Sequence, residues 1–214
     1  IYHMHMAVIR RSQGHSAVAA AAYRAGQNLY DERQGLRHDY TQKSGVFHRE
    51  IIAPTHAPKW VNDRESLWNT AELAERRKDS QVAHHLDIAF PSELNARLRL
   101  QLMRRYVKAR FADRGMVADV ACHDFHTRNP HFHVMLTTRR LEGDGFAAKK
   151  EAAWRPAFVK KDGRTVVDPD YIKEERKAWA SFANEALREA GLSQRIDHRS
   201  YQERGIERVD RKSD

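Results

Sequence analysis

The 214-residue sequence predicts an α+β domain, with a five-stranded antiparallel or mixed sheet carrying helices mainly on one face. Three observations lead there. Five segments alternate apolar and polar residues or form short apolar runs bounded by breakers. Four segments of helical periodicity lie between and after them. Two of the strands, Met116 to His123 and His131 to Thr138, are separated by a turn ending in Asn129-Pro130, so they pair as an antiparallel hairpin.

In chain order, Ile1 to Ile9 alternates as a first strand, followed by a turn at Ser12 to His15. Ser16 is placed to cap a helix over Ala17 to Ala25, closed by Gly26. Its run of alanines has high helical propensity and permits close packing on a sheet, and Tyr23 is the large reactive side chain in its body. Asp31 to Ser44 is polar and reads as a loop, and Val46 to Ala53 as a strand. Lys59 to Lys78 has an apolar side built from Trp60, Leu67, Trp68 and Ala71, and so reads as a helix. Val82 to Phe90 is a strand stopped by Pro91, and Glu93 to Arg114 a long helix with a Leu98, Leu102, Tyr106 stripe. After the hairpin, residues 139–170 read as irregular, with a small hairpin across Lys161-Asp162-Gly163-Arg164. Tyr171 to Ala190 is a final helix, and Arg195 to Arg211 a charged tail.

Composition narrows the function classes. There are 38 Lys and Arg against 29 Asp and Glu, a formal charge of +9 that suits a polyanionic partner, nucleic acid first. A generic basic surface accounts for the charge equally well. No apolar run is long enough to span a bilayer, and no phosphate-binding glycine loop or internal repeat is present. The single cysteine, Cys122, excludes a disulfide framework and suits a reducing cytoplasm. The chain begins without Met and ends on Arg211-Lys212-Ser213-Asp214, and it reads as one domain, residues 1–214, from the N-terminal part of something longer.

The chemistry concentrates between Ala121 and Thr138. His131 and His133 flank Phe132 on a strand, so both imidazoles share a face. The hairpin brings His123 beside them, and three neutral imidazoles leaving open positions make a divalent metal site of catalytic type. His126, in the turn, is a rival for the place of His123. On the neighbouring strand Asp87 shares a face with His85, as a solvated residue or as a carboxylate orienting a ligand. A metal on a basic scaffold suits phosphodiester chemistry, with either water or a tyrosine as the nucleophile. A water-using metal-dependent nuclease and a non-catalytic DNA-binding module with a structural metal are the competing readings. Imidazoles accept Zn, Ni or Co as in a crystal, whereas phosphoryl transfer in cells favours Mg or Mn.

Asn129-Pro130-His131-Phe132-His133 with Val134 to Arg139 resembles the His-hydrophobic-His motif of conjugative relaxases. Ser16 to Gly26 resembles the tyrosine helix of the MobA/MobL (MOBQ) group. Arg114 to Asp124, Asp144 to Lys150 and Arg195 to Tyr201 resemble blocks of the relaxase domain of TraA-type transfer proteins. The resemblance implies an HUH-endonuclease-like fold and a strand-specific nickase acting at a plasmid transfer origin. Such an enzyme stays joined to the 5′ phosphate and later reseals the strand. It implies Tyr23 as nucleophile, with Tyr30 and Tyr40 as substitutes, and His123, His131 and His133 as metal ligands. The tyrosine precedes the histidine motif, the order of relaxases rather than of rolling-circle initiators. Relatives often read R-E-I-I-I-A-L-P where this chain reads His84 to Pro91, so His85 stands in place of the usual acidic residue and Asp87 is the carboxylate at hand. Implied partners are single-stranded DNA and accessory relaxosome proteins around a monomer. Within the matching blocks, Arg24, Arg139, Lys149, Lys150 and Arg199 are the candidates for contact with DNA.

Overall fold

The computed structural model describes residues 3–127, 129–151, 158–161, 164–199 and 204–205. Its centre is a five-stranded sheet in the order β1-β5-β7-β6-β4, antiparallel throughout. The strands are β1 (Met4–Arg10), β4 (Val46–Ile52), β5 (Gln81–Ala89), β6 (Ala118–His123) and β7 (His131–Leu136). The expected hairpin is β6–β7, with His123 opposite His131 and Ala121 opposite His133. Residues 1 and 2 of the expected first strand, and 200–203 and 206–211 of the expected tail, lie outside the described residues.

Period-two alternation divides the sheet into two faces. On one, Leu86, Ile88, Val120, Phe132 and Val134 pack beneath α3 (Ala96–Arg110) and α4 (Pro169–Glu189), with Tyr106 and Trp179 fully buried among them. The Phe132 ring lies 4.7 Å from that of Phe90 and 5.3 Å from that of Trp179. Truncating so enclosed an aromatic costs about 3–5 kcal/mol. The expectation of helices mainly on one face holds for these two longer helices only, because the other face has an apolar surface of its own to cover. The other face carries the shorter α1 (Ala17–Ala25) and α2 (Arg64–Leu73) through Val18, Ala21, Ala22, Leu67 and Trp68. Arg64 and the Trp68 indole both donate to Asp119 of β6, at 2.8–2.9 Å, which ties α2 to the sheet.

Helix α1 is fixed at both ends. Ser16 caps it by accepting from the Ala19 N–H, and the buried Glu72 accepts from the Ala17 N–H at 2.8 Å. It ends at Gly26, whose φ of 59° is left-handed and where a Cβ would lie 3.2 Å from a Val46 methyl carbon. Conformation and space both call for glycine there.

Four expectations are corrected. Asp31 to Ser44 is not all loop: β2 (Asn28–Asp31) and β3 (Leu36–Asp39) form a hairpin whose turn is held by Asp31 accepting from Gln34. The expected helix Lys59 to Lys78 is a 3-10 turn followed by α2, because Asp63 turns extended and caps Ser66. It stops at Leu73, and beyond it the buried Glu75 turns inward to Arg139 and Lys150. Helix α3 ends at Arg110, and Gly115, at φ 95°, closes the 3-10 turn after it. The stretch from Arg139 is a hairpin of β8 (Arg139–Glu142) and β9 (Gly145–Lys150) rather than irregular. The small hairpin across Lys161 and Arg164 is present as β10 (Phe158–Lys161) and β11 (Arg164–Val167), with 162 and 163 outside the described residues. No helix among the described residues is long and apolar enough to cross a membrane.

Candidate active site

At one end of the sheet, the strand registers bring His123 of β6 next to His131 of β7, and Asp87 of β5 next to His133. One donor nitrogen from each of His123, His131 and His133 lies within 4.8 Å of the others. Their rings meet at 4.7–5.5 Å and steep mutual angles, so the imidazoles converge edgewise on a common point.

Each ring also has one nitrogen engaged by an oxygen. His123 Nε2 lies 2.7 Å from the Arg24 carbonyl, and His131 Nδ1 lies 2.9 Å from the Asn129 carbonyl. His133 Nδ1 pairs with Asp87 Oδ1. A protonated nitrogen donating to each oxygen leaves the other nitrogen of each ring as a lone pair, the tautomer a metal ligand needs. Burial holds the His123 imidazole down to about 4, so the ring is neutral at physiological pH. The residues present therefore fit a divalent cation: three imidazoles, each engaged at one nitrogen from behind and open at the other.

A second group, His85, Asp87 and His133, has donor atoms equally close together. Here, however, Asp87 already accepts from His85 Nε2 at 2.8 Å as well as from His133, which is the arrangement of an outer carboxylate. Burial alone would raise the Asp87 carboxyl, but the hydrogen bonds from the two imidazoles outweigh it and hold the group well below its usual range. Arg24 donates to His85 Nδ1 at 3.1 Å, which completes a line from Arg24 through His85 and Asp87 to His133.

Tyr23 stands on α1 immediately before Arg24 and is 51% exposed. The Lys43 ammonium lies 3.6 Å from its ring centroid, and Tyr40 meets it edge-on at 5.2 Å. Burial, with the charge of Arg24 behind it, lowers the pKa of Lys43. Tyr30 lies on β2, with the Arg37 guanidinium 5.4 Å from its ring centroid.

The other residues singled out by sequence are placed as follows. His126 is exposed in the turn against Phe47 rather than among the clustered donors. The Arg24 guanidinium is directed inward, to His85 and to the Ala20 carbonyl. Arg139 and Lys150 both bind Glu75, and Lys149 is exposed. Arg199 is exposed and paired with Asp197. Sequence reasoning missed Lys43 and the inward use of Arg24. No spacing marks Lys43, because its loop reaches Tyr23 only through the β2–β3 hairpin. Arg24 and His85 are separated by 61 positions.

The MobA/MobL family model matches residues 15–213. The mobilization protein MobL of Acidithiobacillus ferridurans is 37% identical over 97% of this chain and 60% of its own length. The conjugal transfer protein TraA of Agrobacterium fabrum is 35% identical over 97% of this chain and 20% of its own. The chain thus spans less than two thirds of the length of either curated relative. A structure from work on the molecular basis of vancomycin resistance transfer in Staphylococcus aureus superposes with a TM-score of 0.80 at 28% identity. It covers 94% of this chain and 100% of that one.

Proposed function

The chain belongs to the MobA/MobL family of mobilization relaxases, and from that premise we propose that it nicks and reseals one DNA strand through Tyr23. The observation that carries this is the meeting of the histidine trio with the tyrosine helix, through His123 and the Arg24 carbonyl at 2.7 Å.

In the proposed reaction the Tyr23 hydroxyl oxygen attacks the phosphorus of the scissile phosphodiester. A tyrosine–phosphate bond forms as the bond from phosphorus to the 3′ oxygen breaks, leaving a free 3′ hydroxyl and a 5′-phosphotyrosine. One phosphate ester replaces another, so the bond energy is retained and the 3′ hydroxyl can reverse the step. His123, His131 and His133 would hold a divalent ion at this site, which would supply positive charge to the scissile phosphate. His85 and Asp87 fix the His133 ring, and Asn129 and Arg24 fix the other two through their carbonyls. Lys43 and Arg24 supply positive charge beside the phenol.

The substrate in this reading is single-stranded DNA at a transfer origin, with Mg or Mn as the working ion and accessory relaxosome proteins as partners of a cytoplasmic monomer. Arg24, Arg139, Lys149, Lys150 and Arg199 are the candidates for contact with DNA; of these Arg24 faces inward, and Arg139, Lys150 and Arg199 are paired with carboxylates. The test is incubation with an oligonucleotide spanning the transfer origin and Mn²⁺. The protein should form a denaturation-resistant adduct that Tyr23→Phe abolishes. Cleavage with no adduct, unaffected by Tyr23→Phe, would instead mark a water-using nuclease.

A further inference from the structure

Phe47 is a large apolar side chain left 43% exposed at the metal-site end of the sheet. Its neighbour Val46 is the register partner of His123, and a bulge between Val46 and His48 takes Phe47 out of the ladder. By chain and ladder spacing, its Cα lies within about 9 Å of that of His123. A bulge beside a site re-aims the side chain it displaces.

The ring is held rigidly. It stacks on Phe125 at 4.4 Å and 20°, and Phe125 meets Phe90, which meets Phe132, in an aromatic column running out of the core. Arg99, buried beneath, donates to the Phe125 carbonyl at 2.7 Å and to the Ser92 carbonyl at 2.8 Å, fixing the turn that carries Phe125. The exposed His126 stands at 78° to Phe47 with 5.3 Å between ring centroids. A flat apolar ring, backed by a second ring and walled by an imidazole, has the form of a stacking platform for a nucleobase. Its neighbours account for its rigidity and not for its exposure.

We propose that Phe47 and His126 form a base-stacking subsite that holds a nucleotide of the bound strand at the metal-site end of the sheet, where the strand passes over the β6–β7 turn. The subsite rests on the nickase reading for its substrate but uses none of the catalytic residues. Stacking on an aromatic face is tolerant of sequence, so the subsite positions the strand rather than selecting a base.

The probe is a 20-nucleotide thymidine strand with one central 5-iododeoxyuridine, cross-linked by light to the full chain and mapped by mass spectrometry. The cross-link should fall on Phe47 or His126. Phe47→Ala should weaken binding of the unmodified strand on the order of tenfold, with Phe47→Trp restoring it. A merely structural Phe47 would lose thermal stability in Phe47→Ala and leave the cross-link elsewhere. Adduct formation at the transfer origin is measured in parallel. Adduct formed while cross-links avoid both residues overturns the subsite and spares the nickase. Cross-link at Phe47 without adduct leaves the subsite standing and removes the nickase reading. Absence of strand binding overturns the subsite.

Discussion

The Nε2 of His123 lies 2.7 Å from the carbonyl oxygen of Arg24, the residue that follows Tyr23. Through that contact one end of the central sheet and the C-terminal turn of α1 form one structure, and Tyr23, exposed, stands one residue before the bonded carbonyl. The rest of the fold keeps this junction in place: Glu72 and Ser16 hold the start of α1, and Gly26 ends it against Val46.

Metal affinity should depend on the carboxylate behind the trio as well as on the trio itself. Asp87→Asn removes the charge that orients His133 and is expected to weaken Mn²⁺ binding about 10- to 100-fold. His133→Ala should weaken it further. Isothermal titration of the two variants checks this, and an unchanged affinity in Asp87→Asn would show that the carboxylate does not orient a ligand.

The tyrosine helix should be the element most damaged by loss of a buried carboxylate. Glu72, 1% exposed, accepts from the Ala17 N–H at 2.8 Å and from Arg11, and pairs with Arg33 at 3.2 Å. Glu72→Ala leaves the Arg11 charge buried without its partner, at a cost of about 3 kcal/mol and a Tm fall of roughly 10 °C. Thermal unfolding measures it. A Tm within a degree or two of the parent would mean that α1 is held by packing alone.

Stability should decline on mild acidification. His84 is 3% exposed, and burial, aided by the charge of Lys150, holds it at about 4 against an ordinary 6.5. Between those values the unfolded chain takes up a proton that the folded chain does not, so stability is full above pH 6.5 and lost as the pH falls toward 4. His85, also held at about 4 with burial as the largest cause, acts in the same sense. Urea unfolding in the presence of a chelator should give a value lower at pH 5 than at pH 7 by on the order of 2 kcal/mol for each of the two rings. Equal or greater stability at pH 5 would contradict the burial of these rings in their neutral form.

The central sheet was legible because its strands alternate so regularly that His131 and His133 had to share a face and His123 had to meet them across a short turn. Ser16 and Gly26 likewise marked the bounds of α1 by capping chemistry. What escaped the sequence was long-range and polar. The β2–β3 hairpin is made largely of exposed residues such as Arg37 and Asp39, so no apolar alternation announces it. The end of α2 depends on Glu75 meeting Arg139 and Lys150 from a distant hairpin. In the site, Arg24 carries a basic side chain typical of a DNA contact, and only the folded chain shows it turned to His85. The bulge that displaces Phe47 likewise depends on a register that one strand alone does not reveal.

The bond that the proposed chemistry requires can be located directly. Protein trapped on a transfer-origin oligonucleotide with Mn²⁺, digested with nuclease and protease, is sequenced by mass spectrometry to find the residue bearing the nucleotide phosphate. The modification is expected on Tyr23 in the peptide that also holds Arg24. Its discovery on Tyr30, Tyr40 or any other side chain would contradict the assignment of Tyr23 as the nucleophile.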